Sequence, residues 1–371
     1  MNKNKYWIIT ILVAIVILTV ILPMSREENT KVIKIGWIGP QTGPTAVLGM
    51  DSATAAQIAV DEINKNGGIS NKKIELYIED DQYDTKKSVS AYRKLVDVND
   101  VKIIIVNTYS SVFALAKQAE KDNVILIDPL DCNNEIANLS ENMFCLATDS
   151  ESLARVLSNT ANERGFKKVG LLYFNSDLFM PLVQKVFSQT YKGDIVLSES
   201  YVAGTRDFKT QISKMISDKA DAMVLLGYDE TGNAMKQARD LGFKGQFLTT
   251  GTVTSPPLQA AAQGKAEGTL LAFWGVNKND KNVIAFDTEF KRRQSRPPIL
   301  DLATYPTYDT VKVLIYAIEK ANNDSVKSIK SELLKIKNFK GLTGEISFNE
   351  NGSMLIPEKL FLLTNGMVVP Q

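Results

Sequence analysis

The side chains that most often do chemistry are scarce in this chain. Its 371 residues include no histidine and only two cysteines, Cys132 and Cys145. Without histidine, the commonest general base and the commonest metal ligand are both missing. Two thiols fall short of a four-ligand zinc site, and neither would have an imidazole to serve it as base. No metal and no cofactor is expected. Gly36, Gly39 and Gly43 miss the G-x-G-x-x-G spacing of a dinucleotide loop, and no phosphate-loop lysine follows them. No G-x-S-x-G turn presents a nucleophilic serine. What remains is the chemistry of recognition, carried by hydroxyls and carboxylates where strands hand over to helices. Ser110 and Ser111 stand at one such place. There a serine either caps the helix or meets an anion beside free backbone N–H groups.

The elements that would position such residues alternate along the chain. Apolar β-rich runs at 32–39, 73–79, 101–106 and 124–127 are separated by helical periodicity at 51–65, 85–98 and 111–122. The alternation resumes with strands at 167–174, 195–201, 222–227 and 246–250, and helices at 178–191, 208–217 and 231–241. A helix at 308–321 and a β-rich segment at 341–363 follow. Such alternation predicts an α/β fold, with parallel sheets covered by helices on both faces. The length suits two domains. With 43 basic and 42 acidic residues, the formal net charge of +1 steers the chain neither to nucleic acid nor to anionic lipid. The stretch 103–124 can also be laid over 222–243 at a constant offset. Tyr109 then falls on Tyr228, and Lys117-Gln118-Ala119 falls on Lys236-Gln237-Ala238. Two lobes of similar topology would give this pattern. Ligands of open parallel sheets bind beyond the carboxyl ends of the strands, so both tyrosine turns are expected to line a cleft.

The chain begins with a separate signal. Lys3 and Lys5 precede an uncharged apolar run that Pro23 and Arg26-Glu27-Glu28 close. A helix over 6–24 would be about 28 Å long, near the thickness of a bilayer core. The early lysines favour the cytoplasmic side, which places all that follows outside. The segment is either a transmembrane anchor or a signal peptide that is removed. Residues 25–31 read as a polar tether.

Several stretches together resemble type I periplasmic binding proteins of the leucine/isoleucine/valine-binding class. Residues 35–44, Ile-Gly-Trp-Ile-Gly-Pro-Gln-Thr-Gly-Pro, look like that family's opening strand and first ligand loop. Ala59-Val60-Asp61-Glu62-Ile63-Asn64, Gly67-Gly68-Ile69 and Asp80-Asp81 with Asp84 look like its next motif. Tyr308-Asp309 is similar to its recurring Tyr-Asp at a helix start. Residues 339–344, Phe-Lys-Gly-Leu-Thr-Gly, together with 348–352, resemble its final crossover. The resemblance implies an extracytoplasmic receptor for an ATP-driven (ABC) importer, with permease subunits as partners and a small solute such as an amino acid, an amide or a relative as ligand. It implies two doubly wound parallel-sheet lobes joined by three chain crossings. Lobe 1 would take 32–148 and 275–340, and lobe 2 would take 149–274 and 341–371. The same lobes would also serve a ligand-sensing module without transport.

A zwitterionic ligand needs hydroxyls and N–H groups for its carboxylate, and a carboxylate for its ammonium. The resemblance places the former at Ser110 and Ser111, and at the turn of Leu130, Asp131 and Cys132, where Cys132 replaces the usual threonine. It makes Tyr228 a cleft tyrosine, with Tyr109 added by the internal repeat. Asp149, at the first crossing, either meets a ligand ammonium or caps a helix. Two positions depart from the family. Gly251 stands where its amino-acid binders place a glutamate for the ammonium, and Leu48 stands where an aromatic cover is common. Either Asp149, Asp229 or Glu230 takes over the missing charge, or the ligand is not an α-amino acid. For an exported chain, Cys132 and Cys145 form either a disulfide or two buried thiols.

Overall fold

The computed structural model describes residues 32–43, 45–147, 149–355 and 358–371. The expected membrane segment 6–24 and tether 25–31 lie outside the described residues. Among the described residues, no helix is long and apolar enough to cross a membrane.

The first sheet forms from β1 (Ile33–Gly39), β2 (Ile74–Asp80), β3 (Ile103–Val106), β4 (Ile125–Asp128) and β5 (Met143–Ala147), with helices between them. These include α1 (Met50–Lys65), α2 (Thr85–Arg93) and α3 (Tyr109–Lys121). β3 reads Ile-Ile-Ile-Val and is buried throughout, as befits a central parallel strand covered on both faces. β2, at the edge, alternates apolar and polar residues. The glycines of β1 serve packing. A Cβ on Gly36 would lie 2.8 Å from Leu95 Cδ1, and one on Gly39 would lie 2.6 Å from the Trp37 ring. Asp84 caps α2 by accepting from the Lys86 and Lys87 N–H groups at 2.8 and 3.1 Å.

After the short helix α4 (Asn134–Ala137), the chain leaves this sheet through α5 (Ser150–Glu163). It then builds a second sheet from β6 (Lys168–Phe174), β7 (Asp194–Tyr201), β8 (Ala222–Leu226), β9 (Gln246–Thr250) and β10 (Leu270–Phe273). The helices α6 (Phe179–Thr190), α7 (Lys209–Ser217), α8 (Glu230–Asp240) and α9 (Pro256–Ala262) lie between these strands. The chain returns with α10 (Lys281–Gln294), α11 (Asp301–Ala321) and α12 (Val326–Lys335), and α11 packs on α1 of the first unit. α11 starts seven residues before the expected 308, with Pro306 inside it. Sequence reasoning stops a helix at proline because its N–H is missing. Here the turns before Pro306 are fastened sideways, with Ser52 Oγ donating to the Ala303 carbonyl at 2.8 Å.

A hairpin of β11 (Phe339–Lys340) and β12 (Glu345–Ile346) precedes β13 (Ser353–Leu355). β13 runs parallel to β5, giving the first sheet the order β13-β5-β4-β3-β1-β2. This corrects the expectation that 341–371 belongs wholly with the second lobe. Phe348 packs edge-on against Phe144, with ring centroids 5.8 Å apart, which ties 341–355 to the first sheet. Only β14 (Lys359–Thr364) and β15 (Met367–Pro370) join the second, antiparallel to β10 and to each other. Its order is β15-β14-β10-β9-β8-β6-β7.

The crossover motif acquires a mechanical reading. Asp309, fully buried in α11, accepts from Leu342 N–H and Thr343 N–H, both at 2.8 Å, and from Thr343 Oγ1 at 2.7 Å. Burial raises its carboxyl to about 6 against these donors. A Cβ on Gly341 would stand 2.5 Å from Asp309 Oδ2, so the Gly-Leu-Thr turn and the Tyr-Asp of α11 fit as a pair.

Candidate functional site

The carboxyl ends of both sheets meet at a crevice lined from each side. Leu48, Tyr83, Asn107, Leu130 and Asp131 come from the first unit. From the second come Phe179, Tyr228, Gly251 and Phe273, with Glu358 on the connection between β13 and β14. The space open to the centre of a water-sized sphere is ≈ 40 Å³.

On the first side, the loop after β2 is shaped by two carboxylates. Asp80 accepts from Gln41 N–H at 2.8 Å and from Thr42 Oγ1 at 2.6 Å, holding the first loop. Asp81, fully buried, accepts from Tyr83 N–H at 2.9 Å, Ser88 Oγ at 2.7 Å and Thr108 Oγ1 at 2.6 Å. These bonds hold Gln82 and Tyr83 at φ of 53° and 60°, a left-handed backbone rare for residues with side chains. The Tyr83 ring is thereby aimed into the crevice. Asp128, at the end of β4, accepts from the N–H groups of Leu130 and Asp131 at 2.9 and 3.0 Å, folding the turn that presents both.

On the second side, Tyr228 follows β8 and donates its hydroxyl to Asp177 at 2.9 Å. Asp177 also accepts from Met180 N–H at 3.1 Å, in the first turn of α6. The rings of Phe179 and Tyr109 meet edge-on across the two units at 5.7 Å. Asp131 and Asp177, one from each unit, are close enough to raise the cost of ionising Asp131.

The electrostatics are one-sided. Burial pushes the Asp131 carboxyl well above its ordinary range, with Asp128 and Asp177 adding repulsion. Burial raises Asp177 to about 6. Glu358 is pushed well above the usual range by burial and by the charge of Asp149. Only 8% exposed, Glu358 meets no donor at either carboxylate oxygen among the described residues. Asn107 donates from Nδ2 to the Leu48 carbonyl at 3.3 Å, which leaves its buried Oδ1 without a partner. No lysine or arginine lines the crevice among the described residues.

Of the residues singled out in the sequence, Leu48, Leu130, Asp131, Tyr228 and Gly251 come together here. Tyr109 is buried beneath the wall, against Phe113 and Phe179. Ser110 shares a hydrogen bond with Thr85 at 2.9 Å, and Ser111, fully buried, one with Ser88 at 2.7 Å. Neither hydroxyl turns to the crevice, because the Asp81 network and α2 engage them from behind. Cys132 is joined to Cys145 in a disulfide, bridging the turn after β4 to β5. Asp149 caps α5, accepting from Glu151 N–H at 3.0 Å. Asp229 accepts from Ser255 Oγ at 3.0 Å, and Glu230 accepts from Gly204 N–H at 2.8 Å. Tyr83, Asp177 and Glu358 were missed, and Asp131 was named only as part of its turn, without a role for its carboxylate. Asp177, two residues before α6, gave a capping signal. A lone glutamate before a strand gives none.

A family model described as periplasmic binding protein matches residues 32–359. The chain belongs to the periplasmic binding protein family. Among curated members, it is 26% identical over 336 residues to the leucine-, isoleucine-, valine-, threonine- and alanine-binding protein of Pseudomonas aeruginosa, covering 89% of each chain. Among solved structures, the branched-chain amino acid transporter substrate-binding protein LivJ of Streptococcus pneumoniae, in complex with isoleucine, superposes with a TM-score of 0.83 at 27% identity. That match covers 91% of this chain and 98% of the other. A solute-binding protein of an ABC transporter from R. palustris, in complex with benzoate, shares the fold at 18% identity and a TM-score of 0.79, covering 91% of this chain and 95% of the other. Within this periplasmic binding protein, Gly251 has a structural cause. A Cβ there would lie 2.6 Å from the Phe273 ring, so the aromatic side chain fills the place where the resemblance puts a glutamate.

Proposed function

We propose that this periplasmic binding protein is an extracytoplasmic solute-binding receptor of an ABC importer, tethered or exported through its first residues. It takes a small polar solute, of the class of branched-chain amino acids, amides and their relatives, into the crevice between its two sheets. The observation that carries this reading is the crevice itself. Groups from the carboxyl ends of both sheets converge on it, and buried acceptors there lack protein donors. Two of the proteins named above carry branched-chain amino acids in their names or in their complexes, and the narrowness of the space favours a cycle in which the walls part and close again. A solute that touches both walls favours the closed arrangement by its extra affinity for it. Three connections between the units suit such a rotation and resist shear.

The test is a thermal-shift screen of the chain against amino acids, amides, urea and small carboxylates. A solute at a hundred times its dissociation constant should add about 2.7 kcal/mol of stability. Small-angle scattering should then show a smaller radius of gyration with that solute. Stabilisation without any change in dimensions would remove the hinge. No stabilisation by any class would remove the receptor.

A further inference from the structure

We infer that the crevice takes a small organic cation, an amine or methylated ammonium without a carboxylate, held between Glu358 and Asp131 and faced by aromatic rings. The inference rests on the solute-binding reading and narrows it to one charge type.

Three independent features agree. The first is the inventory of unused hydrogen-bonding groups. Both oxygens of Glu358 and Oδ1 of Asn107 are buried without a partner among the described residues, and once Glu358 is ionised all three are acceptors. An unpaired buried acceptor costs free energy that only a donor on the solute can recover. The second is charge. Glu358 and Asp131 line the space, Asp177 lies behind Tyr228, and no basic side chain lines it among the described residues. With Glu358 and Asp131 ionised, a carboxylate brought here would meet like charge in a low-dielectric setting, whereas an ammonium would pair with them and favour that ionisation. The third is the walls. Tyr83 and Phe179, with Tyr228 and Phe273, supply aromatic faces, and a ring face attracts a cation.

Among the described residues, the hydroxyls that would hold a carboxylate are engaged elsewhere. Ser110 and Ser111 are turned away to Thr85 and Ser88. The hydroxyls of Thr250 and Thr252 are committed to each other at 2.8 Å, and Thr252 Oγ1 donates to the Gly227 carbonyl at 2.7 Å. Asp131 projects from the turn where the resemblance places anion-binding groups.

Leucine can be taken apart to test this. Calorimetric titrations of the full chain in detergent would compare isopentylamine, isovalerate, isovaleramide and leucine itself, with tetramethylammonium as a second cation. The expected result is binding of isopentylamine or tetramethylammonium at least tenfold tighter than leucine and isovaleramide, with none by isovalerate. Glu358→Gln should weaken the amine by at least tenfold while the ligand-free melting temperature stays level or rises. A merely structural glutamate would lower it. Asp131→Asn provides the same readout should the first variant fail to fold. Leucine, isovalerate or isovaleramide binding as tightly as the cations would overturn the cation assignment and leave the receptor standing. So would unchanged amine affinity in a folded Glu358→Gln or Asp131→Asn chain. Silence from every probe would count against the receptor reading itself.

Discussion

The Tyr228–Asp177 bond shows how a single residue sets the character of the crevice. The tyrosine hydroxyl partly compensates a carboxylate that burial raises to about 6. Tyr228→Phe removes the donor but keeps the ring, so it should cost about 1 kcal/mol of stability, read in a urea titration. Binding of a cationic solute should also be linked to protons. The groups facing it are Glu358 and Asp131, with Asp177, Asp128 and Asp149 behind them, and burial raises each of these. A cation favours their ionised forms, so binding should release protons and strengthen as pH rises. Calorimetry in buffers of different ionisation enthalpy would measure the release, and proton uptake would contradict it. At this scale the sequence was only half legible. Leu130, Tyr228 and Gly251 could be found because each sits at a strand end that periodicity locates. Glu358 could not, because it reaches the crevice only where β13 pairs with the distant β5 and β14 pairs with β10. The turning of Ser110 and Ser111 toward α2 depends on Asp81, and no spacing announces such a network.

Among the elements, the β–α alternation of both units was legible wherever a short apolar run met a helical period. It failed where one signal masked another. β10 and α10 lie in a stretch without tidy alternation, and Pro306 concealed the first turns of α11. The terminal segment went to the wrong sheet because three strand residues, 353–355, carry too little pattern to declare a partner. Asp309 is the clasp between α11 and that segment. Asp309→Ala should remove three hydrogen bonds at once and lower stability by about 3 kcal/mol, checked by chemical denaturation. Gly341→Ala should be destabilising too, since its methyl group would collide with the carboxylate. The Cys132–Cys145 disulfide closes a short loop, with a sequence separation of 13. Its removal by paired alanine substitution should cost about 3 kcal/mol in the chain-entropy model, and the turn carrying Asp131 should become the first part to exchange its amide hydrogens.

For the whole molecule, the buried carboxyls predict an unusual response to pH. Asp177 and Asp309 have folded values of about 6, above their unfolded range. The folded state therefore holds more protons than the unfolded one between about pH 4 and 6. Their contribution is complete below pH 4 and fades as pH rises through 6, at up to about 1.4 kcal/mol per pH unit for each group. The urea midpoint of the ligand-free chain should fall across that interval, and a midpoint that climbs would refute this account. Glu289, held near 2 by Arg292 and Arg293, acts in the opposite sense only at lower pH. The division into twin sheets was legible because it repeats. Where the chain finally changes sides was not, since that depends on β13 finding β5. That late change has a further consequence. Glu358 stands at the axle of the molecule, on one of the three strings that join its halves. On the proposed hinge reading, a solute that tugs on it would work with a very short lever, and a shift of a fraction of an ångström there would sweep the outer rims through a much longer arc.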